Sequence, residues 1–330
     1  MEQFQKMNYR PFGTTGLSVS ELVFGGGAVG GLLINADDDT RRRAIRVALD
    51  AGINWFDTAP SYGNGQSETA LGWLLEEVEE SPHVSTKVNI DTNNLADVFG
   101  QVERSVADSL ARLKRNKVTL LQLHNPIGAR TDGRTLGLSD LLKPNGVLDA
   151  LDSMKQMGFT DHIGITALGD TPSIIRVLKS NRIASAQVYF NLLNPSAALT
   201  PPPAWPCYNF TGIVDTCAEH GVAAMNIRVF SAGVIATDAR HGRERPLTPG
   251  DTVESESEKA RAIFAKLGDS FGSRAQTAIR FALAQARLAC VVVGIAEVEY
   301  LEEAIAAAAM GPLDADAMQS IQEIYAGYES

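Results

Sequence analysis

The sequence predicts an α/β protein, a single (β/α)8 TIM barrel with an N-terminal β-hairpin, the whole of residues 1–330 forming one domain. Three observations carry this prediction. Short β-rich runs alternate with longer amphipathic stretches almost from end to end, eight such units can be counted, and no composition break or low-complexity linker separates them. Strands separated by helices must run parallel and be covered by those helices, and eight units of this kind close into a barrel.

Taken in order, the first β-rich run, 21–25, ends in a glycine cluster. Asp37, Asp38, Asp39 and Thr40 then open a helix with acidic groups at its positive end. Ala44, Ile45, Ala48 and Leu49 share one helical face, and Gly52 stops it. Further strands are read at 53–56, 84–88, 118–123, 162–166, 186–190, 222–229 and 291–294. Helices are read at 68–78, 95–113, 147–157, 173–179, 212–219, 254–267, 274–285 and 297–309, with Val98, Val102, Val106 and Leu110 in register along the second of these. The leading segment, 9–22, carries Gly13, Thr14, Thr15 and Gly16 between short alternating runs. That is a hairpin pattern, and its expected place is across the open N-terminal end of the barrel. Residues 200–206, with three consecutive prolines, read as a rigid loop.

Composition narrows the function classes. Apolar residues make up 45% of the 330 and charged residues 21%, as in a globule with a sizeable core. A net charge of -10 argues against nucleic acid and anionic membrane surfaces, which need clustered Lys and Arg. The start of the chain, 1–9, is polar and lacks a signal-peptide core, and the strongly apolar stretch at 288–296 is too short to span a bilayer. Cys207, Cys217 and Cys290 form no CxxC and read as reduced thiols of a cytoplasmic protein. The five histidines show no metal-ligand spacing, so no metal is expected.

A competing reading exists. Gly25, Gly27 and Gly30 match GxGxxG after the first strand, and Asp57 ends the second, where a Rossmann fold places its ribose-binding acid. Against it, Leu32, Leu33, Ile34 and Asn35 intervene before the helix signal, and three aspartates sit where phosphates would approach. On the barrel reading these glycines form a loop at its mouth.

In α/β barrels the chemistry comes from the C-terminal ends of the strands. Those positions hold Asp57 and Tyr62 after the second strand, Lys87 at the end of the third and His124 after the fourth. Each alone has an ordinary explanation as a surface or rim residue; together, on consecutive strand ends, they form a catalytic set. A phenol with a pKa near ~10 is a weak acid at neutral pH, and an ammonium beside it makes it a better one. Lys87 can supply that charge, Asp57 can hold Lys87, and His124 can donate a hydrogen bond to a carbonyl oxygen. No side chain supplies a hydride, so a nicotinamide is required.

The segment Ala51-Gly52-Ile53-Asn54-Trp55-Phe56-Asp57-Thr58-Ala59-Pro60-Ser61-Tyr62-Gly63, followed by Ser67-Glu68 and Leu71-Gly72, resembles the first signature of the aldo-keto reductase superfamily. Ser85-Thr86-Lys87 is similar to its lysine motif, and Ser109-Leu110-Ala111-Arg112-Leu113 leading to Leu121-Gln122-Leu123-His124 to its histidine motif. The resemblance runs from Phe12 to about Ala309 and implies reversible carbonyl reduction with NAD(P)H by the tetrad Asp57, Tyr62, Lys87 and His124. It also implies a cofactor set of Gly26, Asp57, Thr166, Gln187, Ile227, Arg228, Phe230, Ser231, Gly233, Gly294, Ile295 and Glu303. Two positions depart from the usual pattern: Thr166-Ala167 stands for a Ser-Asn pair, and Arg228 for a Ser. Where NADP-preferring relatives place a base, residues 294–300 offer only Glu297 and Glu299, so NAD is the expected cofactor. Arg240, Arg243 and Arg245 are either compensating bases or solvated loop charges.

The substrate pocket is expected from loops 125–145, 191–210 and 234–251, with Val29, Leu32, Trp55 and His124. Trp205 and Tyr208 either stack on a ring or pack their loop onto the barrel. The resemblance points to a small carbonyl compound or sugar in the sugar (aldose) dehydrogenase branch. The alternative is a regulatory barrel that binds nucleotide with little turnover. The sequence leaves oligomeric state and reaction direction open.

Overall fold

The structure, a computed structural model, describes residues 7–240, 242–246 and 250–328. Residues 1–6 of the polar leader, and 241 and 247–249 of the expected pocket loop, lie outside the described residues.

Eight strands close the barrel: β1 (Leu22–Gly25), β2 (Trp55–Asp57), β3 (His83–Val88), β4 (Val118–Leu123), β5 (Thr160–Ala167), β6 (Ser185–Tyr189), β7 (Ala223–Ile227) and β8 (Leu288–Gly294). Each pairs in parallel with the next in sequence. β8 returns to β1 through Val291↔Leu22 to Gly294↔Gly25. The helix after β1, Asp38–Asp50, begins where its acids predict, with the Asp37 side chain accepting from the Thr40 amide at 2.8 Å. Among the described residues the short helices Leu32–Asn35 and Leu138–Leu142 and two longer ones stand outside the eightfold repeat. Val253–Leu267 is inserted after β7, and Ala315–Ala326 follows the last barrel helix.

The hairpin forms between Tyr9–Pro11 and Ser18–Ser20. It brings Phe12 and Val19, both fully buried, into an inner cluster with Trp55, Leu120, Met225 and Cys290. Phe12 packs on Trp55 with ring centroids 4.6 Å apart. Arg10 clamps the hairpin to the barrel floor: it pairs with Glu21 at 2.7 Å and donates to the carbonyls of Leu283, Gln285 and Leu288. An apolar plug therefore fills the lower interior, and the polar residues of the strands gather above it.

The glycine-rich loop after β1 is not a Rossmann turn. The helix that follows, Leu32–Asn35, is four residues long, and its first N–H donates to the Ile295 carbonyl at 3.0 Å. A Cβ on Gly30 would lie 2.5 Å from the Ile295 backbone. This glycine permits two strand-end loops to touch; it does not admit a phosphate.

Candidate active site

Side chains alternate along a strand, so Trp55 and Asp57 share the inward face while Phe56 faces the helices. Two residues advance the chain by roughly 6.6 Å, enough to carry β2 from the apolar plug to the polar layer above it. There Asp57 meets Lys87 from β3. Lys87 Nζ donates to Asp57 Oδ2 at 2.6 Å and to the Thr58 carbonyl at 2.8 Å, and its side chain has no exposed surface. Asp57 Oδ1 accepts from Ser85 Oγ at 2.6 Å, Gln187 Nε2 at 2.9 Å and Gln122 Nε2 at 3.2 Å. A buried carboxylate so partnered holds its orientation. Burial disfavours the Lys87 charge, but Asp57 and the Tyr62 phenol outweigh it and hold the ammonium above its usual pKa.

Lys87 Nζ lies 4.9 Å from the centroid of the Tyr62 ring. Tyr62 in turn meets His124 edge-on, ring centroids 5.8 Å apart. Burial, with the nearby Lys87 and Arg134 charges, pushes His124 down to about 3, against a smaller opposing effect of Asp57, so its imidazole is neutral at physiological pH. His124 Nδ1 faces Ser61 Oγ and Asn89 Nδ2, each at 3.5 Å. Both are able to donate to Nδ1, an arrangement compatible with the ring proton on Nε2. The structure thus brings all four expected side chains together.

Behind this set lies a support that the residue-by-residue reading gave no role. Glu68 is fully buried; it accepts from Thr86 Oγ1 at 2.5 Å and pairs with Arg112 at 2.7 Å. It ties the helix Gln66–Glu76 to β3 one residue before Lys87. Gln122 and Ser85 stand in the sequence inside the two motif matches without a role of their own; in the fold both donate to Asp57.

On the β7–β8 side a cleft of about 380 Å³ opens. Arg228, Phe230, Gly233, Gly294, Ile295 and Glu303 line it, as the cofactor set requires, together with Val29, Ala232, Ala275 and Tyr300. Its charged lining residues are Arg228 at one end of the set and Glu303 from the helix Val298–Met310. Thr166 pairs with Gln187 across β5 and β6, and its Oγ1 is buried without a hydrogen-bond partner. A buried, orphaned hydroxyl near a strand end is a hydrogen-bonding group available to an amide-bearing ring. These residues fit a nicotinamide dinucleotide.

Several expected positions differ. Trp55 does not line the substrate pocket: it is fully buried against Phe12, its Nε1 donating to Ser85 Oγ at 3.0 Å beneath the site. Trp205 takes the second of its two readings, packing in place of lining a pocket. It donates to the Leu193 carbonyl and packs on Tyr325 and Tyr328 from the C-terminal end of the chain. The Tyr208 hydroxyl donates to the Gly169 carbonyl at 2.8 Å, and its ring packs on Phe210, so it braces its loop. Val29 lines the β7–β8 cleft rather than a separate pocket. Gly26 packs against Ser67 and Leu33, Ile227 sits partly buried at the end of β7, and the Ser231 hydroxyl turns to Glu256. Gln187 Nε2 rests on Asp57, and Glu299 pairs with Arg43 at the surface. Arg240 is fixed to the Thr237 and Ala239 carbonyls and Ser257, whereas Arg243 lies over Gly31. The Arg245 carbonyl accepts from Arg228 at 2.8 Å.

Comparison with known proteins agrees with this architecture. Residues 21–326 match the family model described as Aldo/keto reductase family. The chain is 27% identical to L-galactose dehydrogenase of Arabidopsis thaliana over 311 residues, covering 92% of this chain and 88% of that one. It is 28% identical to D-threo-aldose 1-dehydrogenase of a Pseudomonas species over 248 residues, 67% and 69% of the two chains. Its fold is similar to that of aldo-keto reductase AKR11C1 from Bacillus halodurans in the holo form, with a TM-score of 0.73 at 24% identity over 96% of each chain. The barrel and its relatives define the class, an oxidoreductase of the NAD(P)-using kind. The chain belongs to the aldo/keto reductase family.

Proposed function

We propose that the protein interconverts a carbonyl compound and an alcohol with NAD(P)(H), Tyr62 delivering or taking the proton. The observation that carries this is the buried Asp57–Lys87 pair set against the Tyr62 ring, with Lys87 Nζ 4.9 Å from its centroid. The neutral His124 donates from Nε2 to the carbonyl oxygen and aims it at the Tyr62 hydroxyl. Tyr62 protonates that oxygen as negative charge develops on it, and the Lys87 ammonium stabilises the phenolate left behind. Asp57 keeps Lys87 charged and in place. When bound, the nicotinamide supplies the hydride. Arg228 would meet its pyrophosphate, Thr166 and Gln187 would face its carboxamide, and Glu303 would accept from its ribose.

The dinucleotide we favour is NAD. Among the residues lining the cleft, no base stands beside Glu303, and a carboxylate repels a 2′-phosphate while accepting from a 2′-hydroxyl. The substrate we favour is a sugar or another polyhydroxylated carbonyl compound, since two of the relatives are named as sugar dehydrogenases. A nicotinamide absorbance screen of aldehydes, ketones and aldoses with both cofactors tests the reading. Turnover of a sugar with NAD supports it. Comparable or better efficiency with NADP overturns the cofactor preference. Nucleotide binding without turnover of any compound returns the regulatory barrel.

A further inference from the structure

The helix Val253–Leu267 has no counterpart in the strand–helix repeat, and its first turns carry an acid in an unusual place. Glu256 is 2% exposed. Its Oε2 accepts from Ser231 Oγ at 2.8 Å, and the Tyr189 hydroxyl of β6 lies 3.4 Å from that Ser231 oxygen. An apolar side chain would pack this helix against the barrel without desolvating a carboxylate. The acid therefore has a purpose beyond packing.

That purpose is visible in the turn it holds. After β7 the chain bends through residues 228–233, where Arg228, Ser231 and Ala232 adopt left-handed backbone with φ of 61°, 45° and 59°. Side chains disfavour this region, so the conformation persists only where surrounding bonds impose it. The Ser231 amide donates to the Arg228 carbonyl at 2.9 Å, Asn191 Nδ2 donates to that carbonyl at 2.8 Å, and Ser231 Oγ reaches Glu256. Arg228, Phe230, Ala232 and Gly233 of this turn line the cleft.

We infer that Glu256 is a positioning residue for dinucleotide binding: through Ser231 it sets the left-handed turn and thereby the place of Arg228 at the cleft. This rests on the cofactor reading above. The charged and titratable groups facing Glu256 are Arg228, Lys259 and Asp251, with Tyr189 joined to it through Ser231. Burial, with the Asp251 charge, raises the carboxyl's pKa, and the Ser231 hydroxyl, Lys259 and Arg228 oppose that rise without cancelling it.

The test is a fluorescence titration of NADH against the wild type, Glu256→Ala, Glu256→Gln, Ser231→Ala and the Glu256→Ala/Ser231→Ala double variant, with Tm and kcat at saturating cofactor measured alongside. Glu256→Ala and Ser231→Ala are each expected to raise Kd about tenfold, the value of one hydrogen bond to a charged group. The double variant should be no worse than about threefold beyond either single change, because both break the same link. Glu256→Gln, whose carbonyl oxygen still accepts from Ser231, should stay within about threefold of wild type. For the Glu256 variants kcat at saturating cofactor should remain within about threefold. A lowered Tm with unchanged Kd, or a loss confined to kcat, overturns the inference. If Glu256→Ala does not fold, Ser231→Ala and Glu256→Gln decide it on the same scale. A wild type that binds neither NADH nor NADPH removes the cofactor reading itself. A wild type that binds while the variants bind equally well removes only the role of Glu256.

Discussion

On the β2–β4 side of the barrel mouth the site is made of side chains standing on regular strand ends. Asp57, Lys87 and His124 project from extended backbone, and Asp57 alone receives four donors. On the β7–β8 side the site is made largely of backbone. Arg228, Ser231 and Ala232 bend the chain through left-handed conformations, and the cleft beside them is lined mostly by glycine, alanine and aliphatic residues. The difference follows from the work proposed for each side. Proton transfer needs a few ionisable groups held to a fraction of an ångström, so that side is densely bonded. Accommodating a long dinucleotide needs shape and access, so the other side is open and is fixed by bonds reaching it from outside the barrel.

If the halves are as distinct as this, substitutions should divide accordingly. Lys87→Met should lower kcat by about 10³-fold, with little change in cofactor Kd, because it removes the charge that stabilises the phenolate; steady-state kinetics and nucleotide titration check this together. Asp57→Ala should destabilise the fold by about 3–5 kcal/mol in denaturant unfolding, since it leaves Lys87 charged and buried without its partner. Adding Lys87→Met to Asp57→Ala should restore part of that stability. Arg228→Ala belongs to the other half and should raise the NAD(H) Kd about tenfold, a change read by fluorescence. An equal loss of kcat in that variant would blur the division.

The smallest effect expected is in pH. His124 titrates at about 3 in the folded protein, against 6.5 for an unperturbed histidine. Between those values the unfolded chain binds a proton that the folded chain does not, so this contribution to stability is complete above pH 6.5 and is lost as pH falls toward 3. Replacing His124 by Gln should flatten the decline of Tm between about pH 6.5 and 4 by about a few degrees.

The same contrast explains what the sequence made legible. Strand positions follow from runs of β-branched and apolar residues: 118–123 is the observed β4, and the others lie within a few residues of their reading. The four positions proposed as catalytic are legible because the fold brings strand ends together at one mouth. Trp55 misleads because its neighbour Asp57 shares its inward face while lying one layer nearer the mouth. Trp205 stays open in the sequence because its partners, Tyr325 and Tyr328, lie more than a hundred positions away, on and just beyond a C-terminal helix. That helix shows only the narrow stripe Ala317, Ile321 and Tyr325 on its buried side. The turn after β7, proposed to meet the cofactor, is least legible of all: left-handed φ at Arg228, Ser231 and Ala232 leaves no residue-type signal where glycine is absent. Glu256 reads as one more helical acid until its burial is known.

The phenol is the point at which the account is most exposed. Tyr62→Phe deletes one oxygen and leaves the ring that packs between Lys87 and His124. Assayed by nicotinamide absorbance on the best substrate, this variant should lose more than about 10³-fold in kcat while binding nucleotide within about twofold of wild type. Retention of more than about a tenth of the wild-type kcat would contradict it and assign the proton to another group.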